Sequence, residues 1–210
     1  MKRIIGMDGK HELTTWVDAP HAVHHDMKRH TGDVISLGYG LVHQKSGKQK
    51  LNTKSSTESE IVGASDYLPW NIWMTCFMKG QGYKVKKHVF MQYKESAIKL
   101  EINGKKSSSG KTRHTKIRYY FVTDVVKREA LAIQYCPTGI VFADLYRKSL
   151  QGNLFKKFRS AIMGHTALLT EERAVNSDNG NSADAGRTNI TVSNDDASNH
   201  RTYAQVVMCK

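Results

Sequence analysis

The sequence predicts an α/β fold in which strands come first and helices then alternate with strands. Short runs rich in Val, Ile, Leu and Thr, separated by turn residues, occupy the first fifty residues and favour an antiparallel meander. A long segment with apolar residues at helical spacing follows, from Thr57 to about Gly80. Two more strand-like runs come after it, each next to a helical segment. Five strands and several helices in this order indicate one α/β domain.

The length of 210 residues allows one domain with a substantial core and a tail. We expect a polar lead over 1–12, a folded domain over 13–165 and a disordered tail over 166–210, which is rich in Asn, Ser and Asp. No apolar run approaches the ~20 residues needed to cross a bilayer, and the first ten residues lack the apolar region of a signal peptide. We therefore expect no membrane partner and an intracellular location, with cytoplasm and nucleus both open.

Three strands form the expected meander. We place them at 13–19, with Asp18 near the end, at 33–43, and at 51–54 after a basic turn over 44–50. Gly38 and Gly40 permit a bulge in the second strand.

The helix from Thr57 opens with Thr57 and Glu60 at the spacing of a capping box. On this spacing alone, capping is the simplest role for Glu60. Pro69 lies inside the helical segment, where it removes one backbone donor, so we expect a kink near Leu68 or a break at which Pro69 opens a second helix. Burial is expected to continue across it, on the face of Ile61, Ala64, Leu68, Ile72 and Cys76.

The rest of the domain alternates between strands and helices. In order, we predict a strand at 88–93, a short helix at 96–103, a basic loop over 105–118, a helix at 116–129, a strand at 131–136, a turn at 137–139, a helix around 141–150 and an amphipathic helix at 153–163. In the last helix, Leu154, Phe155, Phe158 and Ile162 are expected to face inward.

Charge points to a polyanionic partner. The net charge is +13, and residues 166–210 hold four Lys or Arg against six Asp or Glu, which leaves +15 on residues 1–165. Nucleic acid is the simplest partner, although a merely soluble basic surface has the same charge. The loop after the short helix concentrates the cations Lys105, Lys106, Lys111, Arg113, His114 and Arg118. Its Gly110-Lys111-Thr112 ending is no P-loop, because five residues separate Gly104 from Gly110 and a helix precedes it. The loop is either a flexible surface segment or a contact for a phosphate backbone.

The candidate metal-binding residues in this sequence are acids and not histidines. The histidines at 21, 24, 25 and 30 match no usual metal-ligand spacing, and a polar turn explains them. Asp18, Glu60 and Asp144 lie at a strand end, a helix start and a C-terminal helix, from which acids can converge on one sheet edge and hold two Mg²⁺ or Mn²⁺ ions about 3.5–4 Å apart. By spacing alone this signal is weak.

Several short motifs occur in one order along the chain and carry a resemblance to a known family. They read Trp16-Val17-Asp18-Ala19, Lys48-Gln49-Lys50, Ser55-Ser56-Thr57-Glu58-Ser59-Glu60, Ser96-Ala97-Ile98, Lys111-Thr112-Arg113-His114, Ile117-Arg118-Tyr119-Tyr120-Phe121, Tyr135-Cys136-Pro137-Thr138 and Ala143-Asp144-Leu145. Together they resemble the ribonuclease H domain that ends the polyprotein of copia-type retrotransposons. The resemblance covers about residues 13–163.

The resemblance implies a ribonuclease H-like fold, with a five-stranded mixed sheet flanked by helices. It also implies an enzyme that cleaves the RNA strand of RNA–DNA hybrids with two divalent ions, Mg²⁺ or Mn²⁺. By position, Asp18, Glu60 and Asp144 match catalytic, metal-binding acids, and His114 and Arg118 match the basic segment beside the substrate. On this resemblance, we expect the chain to lack the reverse transcriptase portion of such a polyprotein.

One catalytic position departs from the family. Where relatives carry Asp-Asn-Gln-Ser-Ala-Ile, this chain reads Tyr93-Lys94-Glu95-Ser96-Ala97-Ile98. A neutral phenol is a poor ligand for a hard cation, so we expect impaired cleavage. Glu95 could replace the lost acid if the strand continued through it. Two hypotheses stay open: an impaired ribonuclease H, and a non-catalytic binder of RNA–DNA hybrid or double-stranded RNA.

Overall fold

The computed structural model describes residues 2–9, 11–19, 25, 28–103, 116–129, 131–166 and 168. The strands are β1 (Gly6–Met7), β2 (Glu12–Asp18), β3 (His30–Ser36), β4 (Gly38–Tyr39), β5 (Leu41–Lys48), β6 (Lys87–Gln92) and β7 (Leu131–Tyr135). The helices are α1 (Ser56–Gly80), α2 (Glu95–Asn103), α3 (Lys116–Arg128) and α4 (Gly152–Ile162), and 3-10 turns span Thr138–Ile140 and Phe142–Tyr146.

A five-stranded mixed sheet with the order β5-β3-β2-β6-β7 organises the fold. β3 pairs antiparallel with both β2 and β5, whereas β6 runs parallel to both β2 and β7. The meander and the five-stranded mixed sheet flanked by helices are thus confirmed. β2 is the central strand, and its carboxyl end lies beside the carboxyl end of β6.

Helices cover both faces of the sheet. On one face, Val17 and Phe90 pack with Leu68 and the other apolar residues of α1, and with α2 and α3. On the other face, Trp16 packs edge-on against Phe142, with ring centroids 5.3 Å apart, and α4 adds Phe158. Side chains along β2 enter the two layers alternately, and all residues of β2 after Glu12 are buried, as expected for a strand between two apolar layers.

The predicted strand at 33–43 is wrong, because this stretch forms β3, β4 and β5. Gly38 and Gly40 have φ of +126° and +65°, values that L side chains rarely adopt, and they turn the chain back on itself. β5 continues to Lys48, into the stretch predicted as a basic turn over 44–50, and 51–54 is not a strand. β4 instead pairs with β1, from the predicted polar lead.

α1 continues through Pro69 as one helix of 25 residues, so the alternative of two helices is wrong. Its predicted inner face is confirmed for Ile61, Ala64, Leu68 and Ile72, which are buried, while Cys76 is half-buried. The segment predicted as a helix around 141–150 forms the short turn Phe142–Tyr146. In α4, Phe158 and Ile162 are buried as predicted, whereas Leu154 is exposed and Phe155 is half-buried.

Candidate functional site

Asp18 is the last residue of β2, at the centre of the sheet edge, and its side chain is buried. On one side it pairs with Gly32 of β3. On the other side, β2 and β6 pair in parallel through Trp16 and Met91, so the same register places Tyr93 beside Asp18. Asp18 therefore lies where the carboxyl ends of two parallel strands meet.

The start of α1 differs from the predicted capping box by two residues. Ser55 is the N-cap, and its hydroxyl accepts a hydrogen bond from the Glu58 backbone N–H at 3.2 Å. Glu58 reaches back and accepts from the Lys54 N–H at 2.6 Å. Ser55 and Glu58 thus take the reciprocal roles that the spacing assigned to Thr57 and Glu60. Glu60 is left free of the cap.

Glu60 faces the end of β2 instead of solvent. Its Oε1 accepts a hydrogen bond from the Ala19 N–H at 3.2 Å, and the residue is fully buried. Gly63, one helical turn later, lets α1 lie close enough to the sheet for this contact. A Cβ at Gly63 would lie 3.2 Å from both Val17 Cγ1 and Thr31 Cγ2, which is tighter than ordinary packing.

Asp144 reaches the same place on the turn Phe142–Tyr146. This turn lies directly on Gly32, where an added Cβ would be only 2.5 Å from the Ala143 carbonyl oxygen. The missing side chain at Gly32 therefore lets the turn approach the sheet next to Asp18. The Asp144 carboxyl is thereby brought beside the Asp18 carboxyl.

Arg147 binds both aspartates. Its Nε donates to Asp18 Oδ2, and its Nη2 lies 2.6 Å from Asp144 Oδ1. Lys148 adds a second cation, with its Nζ donating to Asp144 Oδ2 at 3.1 Å.

The two aspartates have opposite pKa shifts. Burial raises the pKa of Asp18 to about 7, helped by the hydrogen bond and the charge of Asp144 and opposed by Arg147. Burial also acts on Asp144, but the hydrogen bond from Asp18 and the charges of Arg147 and Lys148 outweigh it and lower its pKa. A proton shared by the pair therefore resides mainly on Asp18.

Tyr93 closes the other side of the cluster against Glu60. Burial and the charge of Asp18 raise the pKa of Glu60 well above its usual value, while hydrogen bonds from Ala19 N–H and the Tyr93 hydroxyl oppose this shift. Burial and the charge of Glu60 in turn raise the pKa of Tyr93, so the phenol stays neutral. Tyr93 thus places an O–H donor beside Glu60, at the position where the resemblance implies an acid.

A buried polar network holds the start of α1 beside the sheet. The Arg29 guanidinium is 1% exposed and donates to Ser59 Oγ at 2.8 Å, and Ser59 Oγ donates to the Ala19 carbonyl oxygen at 3.0 Å. The Gln49 amide donates to the Ser59 carbonyl oxygen at 3.0 Å. Arg29 also lies within electrostatic range of Glu60.

The residues after Tyr93 lie outside the strand. Glu95 is exposed and begins α2, so the condition under which it could replace an acid at position 93, a strand that continues through it, is not met. Lys94 donates to Ser56 Oγ and is directed to the start of α1.

Most of the predicted nucleic-acid contacts cannot be placed. Lys105, Lys106, Lys111, Arg113 and His114 lie outside the described residues. Arg118, in α3, forms a surface ion pair with Asp66 of α1.

Carboxylate oxygens are the ligands that Mg²⁺ and Mn²⁺ prefer, so Asp18, Glu60 and Asp144 are of the right chemical type. Their arrangement, however, does not fit a pair of divalent ions. Arg147 lies between the two aspartates, and Glu60 is directed to Ala19 and Tyr93. Among the residues that the structure describes, no group of three or more His, Cys, Asp or Glu side chains is arranged to hold a metal ion. The catalytic and metal-binding roles of the three acids stay predictions.

Comparison with known proteins aligns 139 residues, or 66% of the chain, with the "Retrovirus-related Pol polyprotein from transposon TNT 1-94" of Nicotiana tabacum at 27% identity. The chain is similar to a retrotransposon polyprotein. This confirms the resemblance predicted from the sequence motifs. The chain spans about a tenth of the polyprotein that it matches, since the alignment covers 10% of that protein. No family model matches the chain.

The chain is also similar to ribonuclease H structures. LC11-RNase H1, isolated from compost, matches 79% of this chain and 99% of its own, with 11% identity and a TM-score of 0.43. RNase H1 from the archaeon Halobacterium salinarum NRC-1 matches 60% of this chain and 86% of its own, with 11% identity and a TM-score of 0.40. LC11-RNase H1 is also known in complex with an RNA/DNA hybrid.

Sequence reasoning missed three residues near the acids, namely Arg29, Glu101 and Arg147. Arg147 had a local signal, because it lies three residues after Asp144 at the end of a short turn. Arg29 and Glu101 had no such signal, because each comes within electrostatic range of Glu60 only through the packing of elements distant in the chain.

Proposed function

We propose that this chain is a ribonuclease H-like domain of retrotransposon descent that binds RNA–DNA hybrid or duplex RNA and cleaves it little or not at all. The descent is supported by the alignment with the transposon polyprotein. Binding is supported by the charge of +15 on residues 1–165. Two Mg²⁺ or Mn²⁺ ions are the cofactors that the resemblance implies for the ancestral reaction.

One observation carries the proposed loss of cleavage: the acid cluster is compensated by the chain's own side chains. Arg147 and Lys148 neutralise the aspartate pair, and Tyr93 presents a neutral hydroxyl to Glu60. A two-metal site needs open carboxylate oxygens around ions about 4 Å apart. Here Arg147 contacts one oxygen of each aspartate, Lys148 contacts Asp144, and Glu60 accepts from the Ala19 N–H, whereas Asp18 Oδ1 and Glu60 Oε2 make no hydrogen bond of good geometry with any described residue.

The test uses the full chain and a hybrid with labelled RNA, in Mg²⁺ and separately in Mn²⁺. We expect hybrid binding by fluorescence anisotropy, and cleavage no greater than that of the matched Asp18→Asn variant. Tyr93→Asp supplies the missing carboxylate and is expected to recover part of the cleavage. Robust metal-dependent cleavage by the unmodified chain that Asp18→Asn abolishes would refute the proposal.

A matched variant addresses Glu95. Because this side chain is exposed at the start of α2, Glu95→Gln is expected to leave both binding and cleavage unchanged. If Glu95→Gln abolished a cleavage activity of the unmodified chain, Glu95 would be the substitute ligand, and the chain would be an active nuclease.

A further inference from the structure

Arg147 joins two carboxyls that are far apart in the sequence. It follows the turn Phe142–Tyr146, and its backbone N–H donates to the Asp144 carbonyl oxygen at 3.1 Å, which fixes the start of its side chain. The guanidinium then contacts Asp18 through Nε and Asp144 through Nη2. The Arg147 side chain is 9% exposed, and those of Asp18 and Asp144 are 1% and 5% exposed.

Removing one partner from these buried ion pairs should strongly destabilise the fold. Two carboxyls in contact in a buried place cannot both ionise without a compensating cation. Arg cannot lose its charge and is planar, so it can bind two carboxyls at once. Lys148 cannot replace it, because its side chain is 43% exposed and its Nζ pairs with Asp144 but, among the described ion pairs, not with Asp18. Arg29 is directed to Ser59 and Thr53.

We infer that Arg147 is a resident cation of the acid cluster, which takes the place between Asp18 and Asp144 where a divalent ion would have to bind. In the unmodified chain the Asp18–Asp144 pair is then compensated without metal, and a divalent ion binds between the two aspartates only when the guanidinium leaves them. This inference rests on the proposed function for the location of the site. Its test uses no nucleic acid, so a failure of hybrid binding would not contradict the inference about Arg147.

The experiment is thermal unfolding of the full chain in EDTA, in Mg²⁺ and in Mn²⁺ at matched ionic strength. The unmodified chain is expected to melt at the same temperature in all three conditions. Arg147→Met should melt roughly 8–15 °C lower in EDTA, because it leaves two buried acids without their cation. Mg²⁺ or Mn²⁺ should recover at least ~3 °C of that loss, since an ion that binds only the folded chain stabilises it.

Arg159→Met is the matched control, because Arg159 lies on the exposed side of α4. It should melt close to the unmodified chain and should not respond to either metal. The double variant Arg147→Met and Asp144→Asn removes one of the two carboxylates. It should melt closer to the unmodified chain, and it remains informative if Arg147→Met alone does not fold.

Two outcomes would overturn the inference. One is an unmodified chain that Mg²⁺ or Mn²⁺ stabilises as much as the Arg147→Met variant. The other is an Arg147→Met variant that melts within ~2 °C of Arg159→Met in EDTA.

Discussion

Glu101 lies in α2 with its carboxyl fully buried beside the Gln92 amide at the end of β6. Burial raises its pKa to about 8, and hydrogen bonding from Gln92 only partly opposes this shift. Neither carboxyl oxygen makes a hydrogen bond of good geometry with any described residue. The Glu101 side chain therefore carries a proton at neutral pH, and it ionises at a cost to the fold.

The sign of the pH effect follows from this raised pKa. A group that holds its proton more tightly in the folded chain contributes stability below its unfolded pKa, which is lost as pH rises through the folded pKa. Asp18, with a pKa of about 7, acts in the same direction. The free energy of unfolding should therefore fall between about pH 5 and pH 8.5, by on the order of 3 kcal/mol from Glu101 alone.

Glu101→Gln should remove the Glu101 part of that loss, because the amide does not titrate. Urea unfolding at pH 5 and pH 8.5 measures it. Glu95→Gln, in the same helix but exposed, is the control and should change the pH dependence by less than ~1 kcal/mol. A Glu101→Gln variant with the pH dependence of the unmodified chain would contradict this assignment.

At the residue scale, sequence reasoning located the acids but not what surrounds them. Asp18, Glu60 and Asp144 could be named because each lies in a short recognisable motif. The cation between the two aspartates could not be deduced, because its position depends on how closely the turn Phe142–Tyr146 approaches the sheet. That distance is determined by packing at Gly32 and not by any pattern along the chain.

Among elements, the contact between β3 and the turn Phe142–Tyr146 controls the geometry of the site. Gly32 pairs with Asp18, and the Ala143 carbonyl oxygen lies where a Gly32 side chain would begin. Backbone atoms cannot move aside as a flexible side chain can. Any side chain at Gly32 must therefore separate Asp144 from Asp18.

Gly32→Ala is expected to destabilise the fold by about 2 kcal/mol, as overpacking of a tight contact does. Gly139→Ala is the matched control, because an added Cβ there has no described neighbour within 4 Å and φ is not positive. It should change stability by less than ~0.5 kcal/mol. Equal unfolding free energies for the two variants would show that the turn does not depend on Gly32.

The boundaries of helices and strands could be predicted where the apolar pattern continues over many residues. The prediction failed where tight turns interrupt the chain. The 25-residue helix, the strand β6 and the succession of strands and helices along the chain follow from apolar spacing. The stretch 33–43 looked like one strand because its apolar residues alternate across two tight turns. The predicted N-cap lies two residues after the observed one, because Ser55, Ser56 and Thr57 all suit a helix N-terminus. Only the contacts of Glu58 distinguish them.

At the scale of the whole molecule, net charge is the main predictor of binding. Affinity for hybrid or duplex RNA should fall at least ~10-fold between about 50 and 200 mM salt, because Lys and Arg release counterions from phosphates. Sequence preference is not expected, since A-form duplexes are recognised mainly by shape and 2′-hydroxyls.

In the described part of the chain, no helix is both long and apolar enough to cross a membrane.

The basic loop can be tested through the slope of that salt dependence. Lys111→Ala with Arg113→Ala should reduce the slope by about 2, if both residues contact phosphates. Lys156→Ala with Lys157→Ala removes the same charge from the exposed side of α4 and should leave the slope nearly unchanged. Equal slopes for the two double variants would exclude Lys111 and Arg113 from the binding surface.

The lead segment and the end of α4 meet at one point of the surface. The Ile4 N–H donates to the Met163 carbonyl oxygen at 2.9 Å, and the Ile4 carbonyl oxygen lies 2.0 Å from the position of a Cβ on Gly164. The first described residues and those that follow α4 therefore lie side by side. A short linker should keep Leu168, which is buried and donates its N–H to the Gly38 carbonyl oxygen at 3.2 Å, and should join it to residue 2. New ends opened in an exposed turn should then give a circular permutant that retains the fold.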